Sequence, residues 1–336
     1  MNTRKSITVI LSLLLVSVVY STDVELSVST AERGLVIATS LQNHDLSGVS
    51  IAVFQGDNTE VANACRIAMV NMFEWMNATV DLVSASMIKE GFLGGYDVLG
   101  LPPGNLPSYN IQLGTQGLEA IRNYVSHGGA YFGVAGGAIF ACDRLIYGST
   151  NDEYLLKLYN GTVRGPITGV TDRSIEVMEV NTTNGVIDLT GVPSTLSTLY
   201  WGATYFIPND AIDYVNIASA PDVSYPSLIA YQYGSGCVFL SGLHPEFEEN
   251  SDRDGSSMFD DLDDPESEWP LMLRIARWMV DASVWITDST STDTTNTSTT
   301  DVTGIGLPDG GSFLIVAVAA FGIVIVVVVA RMWRKR

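Results

Sequence analysis

Short apolar runs alternate with longer amphipathic stretches through the first half of the chain. Val49–Gln55 is a β-branched run closed by Gly56-Asp57-Asn58, a turn able to cap a helix. Glu60–Met76 follows, with apolar residues at helical spacing. Val80–Ser84 and Asp97–Leu101 are further strand candidates, the second stopped by Pro102-Pro103-Gly104. Gly117–Ser126 predicts an amphipathic helix with Leu118, Ile121, Tyr124 and Val125 on one face, ended by Gly128-Gly129. Ala130–Val134 is a fourth strand and runs straight into Ala135-Gly136-Gly137-Ala138. Strands and helices in this rhythm predict a parallel sheet covered on both faces.

Downstream the pattern shortens. Ser174–Val180, Leu196–Tyr200, Ala203–Ile207, Tyr214–Ala218, Leu228–Tyr233 and Cys237–Leu240 are strand candidates separated by turns. They predict a mixed or partly antiparallel continuation of the sheet. Pro270–Val280 closes the domain as a helix with Leu271, Ile275 and Trp278 inward.

Both ends of the chain depart from this pattern. Residues 1–22 carry Arg4 and Lys5, then the apolar run Ile7–Tyr20, then small residues at Ser21 and Thr22. That is the order of a secretory signal peptide, with an uncleaved anchor as the alternative. Phe313–Ala330 is apolar and uncharged, just long enough for a transmembrane helix, and Arg331, Arg334, Lys335 and Arg336 follow. Basic residues stay on the cytoplasmic side. The expected order is a signal at 1–22, an extracellular domain at 23–285, a stalk at 286–312, a span at 313–330 and a basic tail at 331–336. The stalk is Ser/Thr-rich and too polar to bury a core. The expected location is the plasma membrane, single-pass, with the N-terminal domain outside.

All 37 acidic residues lie between signal and span, with 11 of the 17 basic ones, so the outer part carries about −26. Such a surface repels nucleic acid. Three cysteines, Cys65, Cys142 and Cys237, allow one disulfide at most and match no metal spacing. Sequons at Asn77, Asn160, Asn181 and Asn296 agree with an exported glycoprotein.

Candidate chemistry sits at strand ends. Tyr131–Ala141 (YFGVAGGAIFA) has the layout of a nucleophile elbow: a strand, one residue on a sharp turn at Ala135, then small residues where a helix starts. After Cys237–Leu240 comes Ser241-Gly242-Leu243-His244-Pro245-Glu246, which supplies an imidazole and a carboxylate. These are the orienting half of a triad.

Here the chain resembles a class I glutamine amidotransferase-like domain, of the type found at the N-terminus of some biotin–protein ligases. The matching stretches are LPPGN at 101–105, GLEAIRNYVSHGGAYFGVAGGAIFA at 117–141, NGTVRGPI at 160–167 and YGSGCVFLSGLHPEFEE at 233–249. Trp201–Phe206 is similar to that family's middle region, and the resemblance covers roughly residues 48–283. It implies a flavodoxin-like three-layer α/β sandwich with a mainly parallel central sheet and additional antiparallel strands. It also implies a cysteine at the elbow, a His–Glu pair activating it, and backbone N–H groups at a Pro-Gly turn stabilising an oxyanion. Carried over, the apex is Ala135, the base His244 and its partner Glu246. Gly104 and Asn105 form the oxyanion turn and, with Gly136, the ligand-binding positions. A methyl group cannot attack a carbonyl, so glutamine hydrolysis is not expected. Cys142 lies behind the apex, and Ser241 is a candidate replacement or a plain turn residue.

Asn250, Asp252, Asp254 and Asp261, with Gly255, fall at calcium-loop spacing. The alternative is a solvated acidic loop. No other cofactor is expected. Three functions remain open: a non-catalytic module binding a small ligand or a surface protein, a hydrolase using His244 towards water, or a structural protein with a relic pocket. No ligase domain follows the resemblance, so biotin ligation is not expected.

Overall fold

A computed structural model describes residues 45–284, except 57, 168–172, 210–212 and 265, and the strands at 314–320 and 323–329. The signal and stalk lie outside the described residues.

The first half follows the expected rhythm: β1 (Ser50–Phe54), α1 (Glu60–Trp75), β2 (Thr79–Val83), α2 (Ala85–Lys89), β3 (Val98–Leu101), α3 (Leu106–Ser126), β4 (Ala130–Val134) and α4 (Gly136–Ala141). Then come β5 (Cys142–Tyr147), β6 (Thr150–Glu153), β7 (Tyr159–Gly165), β8 (Arg173–Val180), β9 (Thr195–Trp201), β10 (Tyr205–Pro208), β11 (Val215–Ser219), β12 (Leu228–Tyr233), β13 (Gly236–Ser241) and α5 (Trp269–Ala282).

Nine strands form the main sheet in the order β2-β1-β3-β4-β13-β12-β11-β8-β9. The pairings from β2 through β13 are parallel. Those from β13 through β9 are antiparallel. Four more strands form a separate sheet, β10-β7-β5-β6.

Alternation along the central strands sorts side chains to two cores. Ile51, Val53, Phe132 and Val134 pack with Met69 and Phe73 of α1 and Leu271 and Ile275 of α5. Ala52, Phe54 and Tyr131 face the other way, with Ile121 and Val125 of α3. A strand covered on both sides must be apolar at every position, and β4 is buried throughout.

α1 begins at Thr59, whose hydroxyl accepts from the Ala62 N–H. α3 starts eleven residues before the expected helix. Its first turns hold Pro107, Asn110 and Gln112 and break from helical geometry at Gly114 (φ 55°), so they lack the apolar period. Asn105 caps it by accepting from the Ser108 N–H at 2.8 Å.

The segment expected as one membrane-spanning helix is instead two antiparallel strands, Leu314–Ala320 and Ile323–Val329. Among the described residues no helix is long and apolar enough to cross a membrane. The run is dominated by Val and Ile, whose branched Cβ disfavours helix and favours extended backbone.

Candidate functional site

The parallel strands finish abreast. Leu101 pairs with Gly133, and Ser241 with Val134. Three connections therefore leave one edge of the sheet together: Pro102-Pro103-Gly104, Ala135-Gly136, and Gly242-Leu243-His244. This carboxyl edge is where open α/β sheets hold ligands.

Ala135 sits between β4 and α4 at φ 42°, ψ −106°, a conformation alanine rarely adopts. Its N–H donates to the Ser241 carbonyl at 2.8 Å, and its own carbonyl accepts from the Ile139 N–H at 2.8 Å. Both bonds hold the turn in place. The glycines behind it are steric necessities. A Cβ on Gly137 would lie 1.9 Å from the Leu101 carbonyl oxygen, and one on Gly136 would lie 3.0 Å from the Gly104 nitrogen.

Ala135, Gly136, Gly104, Asn105 and His244 line one cavity of about 420 Å³, completed by residues that include Thr59, Val61, Ile139 and Trp201. The structure thus brings these sequence-predicted positions together. Glu246 lies behind His244, fully buried.

The imidazole is held from both sides. Nδ1 is 2.9 Å from Glu246 Oε1, and Nε2 is 3.1 Å from the Trp201 carbonyl oxygen. A carbonyl only accepts, so Nε2 is the donor there. Trp201 packs over the ring at 5.0 Å between centroids, tilted by 38°. The second oxygen of Glu246 is buried without a hydrogen-bond partner.

Neither alternative nucleophile reaches the cavity wall. The Ser241 hydroxyl donates to the Leu243 carbonyl at 2.9 Å and accepts from its N–H, so it is spent in its own turn. Cys142 donates to the Ala138 carbonyl at 3.2 Å, and burial, with Asp143 adding to it, pushes its thiol well above the ordinary range.

Sequence reasoning missed Cys65. It lies on α1 three residues past Ala62, which lines the cavity, and close to both His244 and Glu246. Burial, with the Glu246 charge adding to it, pushes this thiol well above its usual range. No local motif signals the contact, because nearly 180 residues separate the partners.

The calcium-loop residues are not gathered around one point. Asp261 pairs with Arg173 at 2.8 Å, and Asn250 donates to Asp263 at 2.8 Å. Asp254 turns inward and accepts from the Ser256 and Glu248 N–H groups, while Asp252 opens a single 3-10 turn. The Asp254 carboxylate is thereby spent on nearby backbone donors. A separate set of carboxylates, Glu249, Asp264 and Glu268, is buried next to this loop.

The main sheet is half parallel and half antiparallel rather than mainly parallel, and its parallel half, with a strained strand-to-helix turn and a His–Glu pair past the next strand, defines an amidotransferase-like α/β domain. The chain belongs to the family described as biotin-protein ligase, N terminal, which matches residues 49–275. No curated protein matches it by sequence. Similar solved structures include a cytoplasmic protein from Salmonella typhimurium LT2, 14% identical, covering 69% of this chain and 99% of that one, with a TM-score of 0.44. A glutamine amidotransferase from Thermotoga maritima is 14% identical, with 70% and 94% covered and a TM-score of 0.41. A ThuA-like protein from Parabacteroides merdae is 13% identical, with 70% and 91% covered and a TM-score of 0.43.

Proposed function

We propose that the domain is a non-catalytic binding module, held outside the cell by the apolar run at 313–330, with the cavity beside Ala135 as its ligand site. The observation that carries this reading is the apex itself. The turn keeps the strained backbone of a nucleophile elbow, yet its side chain is a methyl group. Such strain persists only where the surroundings enforce it, and here it shapes the floor of a cavity. The donor Nε2 of His244 is also committed to the Trp201 carbonyl, which leaves it poorly placed to take a proton from water.

Anchoring rests on the 18 uncharged residues of 313–330 followed at once by four basic ones.

The ligand is a small polar molecule, since the cavity mixes Thr59, Asn105 and His244 with Val61, Ile139 and Trp201. The test is a thermal-shift panel of amino acids, amides and small carboxylates on the full chain. Val61 is 43% exposed at the cavity, so Val61→Trp fills the site with little cost to folding. A compound that stabilises wild type and not Val61→Trp supports the reading. A panel in which every stabilising compound acts equally on both proteins refutes it.

A further inference from the structure

Cys65, His244 and Glu246 come from two distant parts of the chain and meet beneath the cavity. The thiol sulfur, a ring nitrogen and a carboxylate oxygen all lie within 4.8 Å of one another. Cys65 and Glu246 are fully buried and His244 is 2% exposed. We propose that these three side chains form a binding site for a divalent transition-metal ion of the zinc type.

Three observations support the site. The first is the donor set. Sulfur, imidazole nitrogen and carboxylate oxygen suit a borderline-soft ion and not calcium or magnesium. Zinc bonds of about 2.0–2.3 Å put tetrahedral donors roughly 3.3–3.5 Å apart, so the shell closes with side-chain movement of about an ångström.

The second is the unpartnered carboxylate oxygen. Glu246 Oε2 is buried and accepts no hydrogen bond, which is costly for a carboxylate in a protein core. A metal ion would satisfy it. The third is the orientation of the imidazole. Metal-bound histidines donate their other N–H to a carbonyl or carboxylate, and His244 Nε2 already faces the Trp201 carbonyl at 3.1 Å. That leaves Nδ1, on the Glu246 side, as the ligand atom.

A thiol must give up its proton to ligate a metal, so uptake releases protons and weakens as pH falls. Three protein donors leave one tetrahedral position open.

This site stands apart from the binding-module reading, because a metal-loaded domain without a small ligand would satisfy it. Cobalt(II) titrated into the reduced, metal-stripped full chain tests it. At one equivalent we expect a thiolate-to-cobalt charge-transfer band with intense four-coordinate visible bands. Both persist in Cys142→Ala and Cys237→Ala and disappear in Cys65→Ser. Should Cys65→Ser lose its native circular dichroism, wild type alone decides. One equivalent of zinc then releases protons in weak buffer and raises Tm, while calcium and magnesium do neither. Absence of the cobalt band, its survival in a folded Cys65→Ser, or zinc that releases no protons and leaves Tm unmoved overturns the site.

Discussion

Replacing Ala135 with glycine isolates the energy stored at the elbow. At φ 42°, ψ −106° an alanine carries strain of about 1–3 kcal/mol. Glycine adopts this geometry without Cβ conflict, so the strain is released. Against that, glycine loosens the unfolded chain by about 0.4–1 kcal/mol. Ala135 is only partly buried against the core, so losing its methyl costs a fraction of the roughly 0.8 kcal/mol of a fully buried one. The balance is a net gain of about 1 kcal/mol, or about 2–4 °C in Tm for a domain of this size. The control is Ala138→Gly. Ala138 lies inside α4, is fully buried and has no strain to release, so it should lose about 1 kcal/mol or more. Calorimetry or circular dichroism melts of the full chain read both. A lower Tm for Ala135→Gly, comparable to that of Ala138→Gly, would refute the claim that the turn is held under strain.

Other perturbations test the same framework. Gly137→Ala places a Cβ 1.9 Å from the Leu101 carbonyl oxygen and should cost more than about 3 kcal/mol or abolish folding. Gly94→Ala meets nothing within 4 Å and should stay within about 0.5 kcal/mol of wild type by denaturant melts. Burial, with the charges of Asp264, Glu246 and Glu248 adding to it, raises Glu249 from 4.5 to about 7. The native state therefore keeps this proton in a window where the unfolded chain has lost it. Stability should fall as pH rises from about 4.5 to about 7, by up to about 3 kcal/mol. Glu249→Gln should flatten that part of the Tm–pH curve, and an unchanged slope would exclude Glu249 as its source. Protease added to intact cells should remove the domain and spare the basic tail, whereas protection of residues 45–284 would exclude the proposed orientation.

The parallel half of the sheet was legible in the sequence because its inner strands β1, β3, β4 and β13 are buried on both faces. Runs such as Val49–Gln55 and Ala130–Val134 have no polar alternation, and glycine or proline bounds them sharply. The elbow was legible for a steric reason, since Gly136 and Gly137 leave no room for side chains. The four-stranded second sheet was not. Its strand β6 is Thr-Asn-Asp-Glu, exposed at every residue, so no hydrophobic period marks it. The run at 313–330 shows a different limit, because length and hydropathy say nothing about β-branched preference. The acidic loop misled for a similar reason: spacing alone does not reveal which backbone donors lie close to Asp254. Cys65 reads as an ordinary buried residue until the fold carries His244 and Glu246 to it.

The central claim is that a complete elbow and His–Glu pair surround a site without a nucleophile. Ammonia release from glutamine by the purified full chain, beside His244→Asn, tests it most directly. We expect both proteins to match the buffer blank at any enzyme concentration. Release that scales with wild-type protein and disappears in His244→Asn would contradict the account and make the domain a working amidohydrolase.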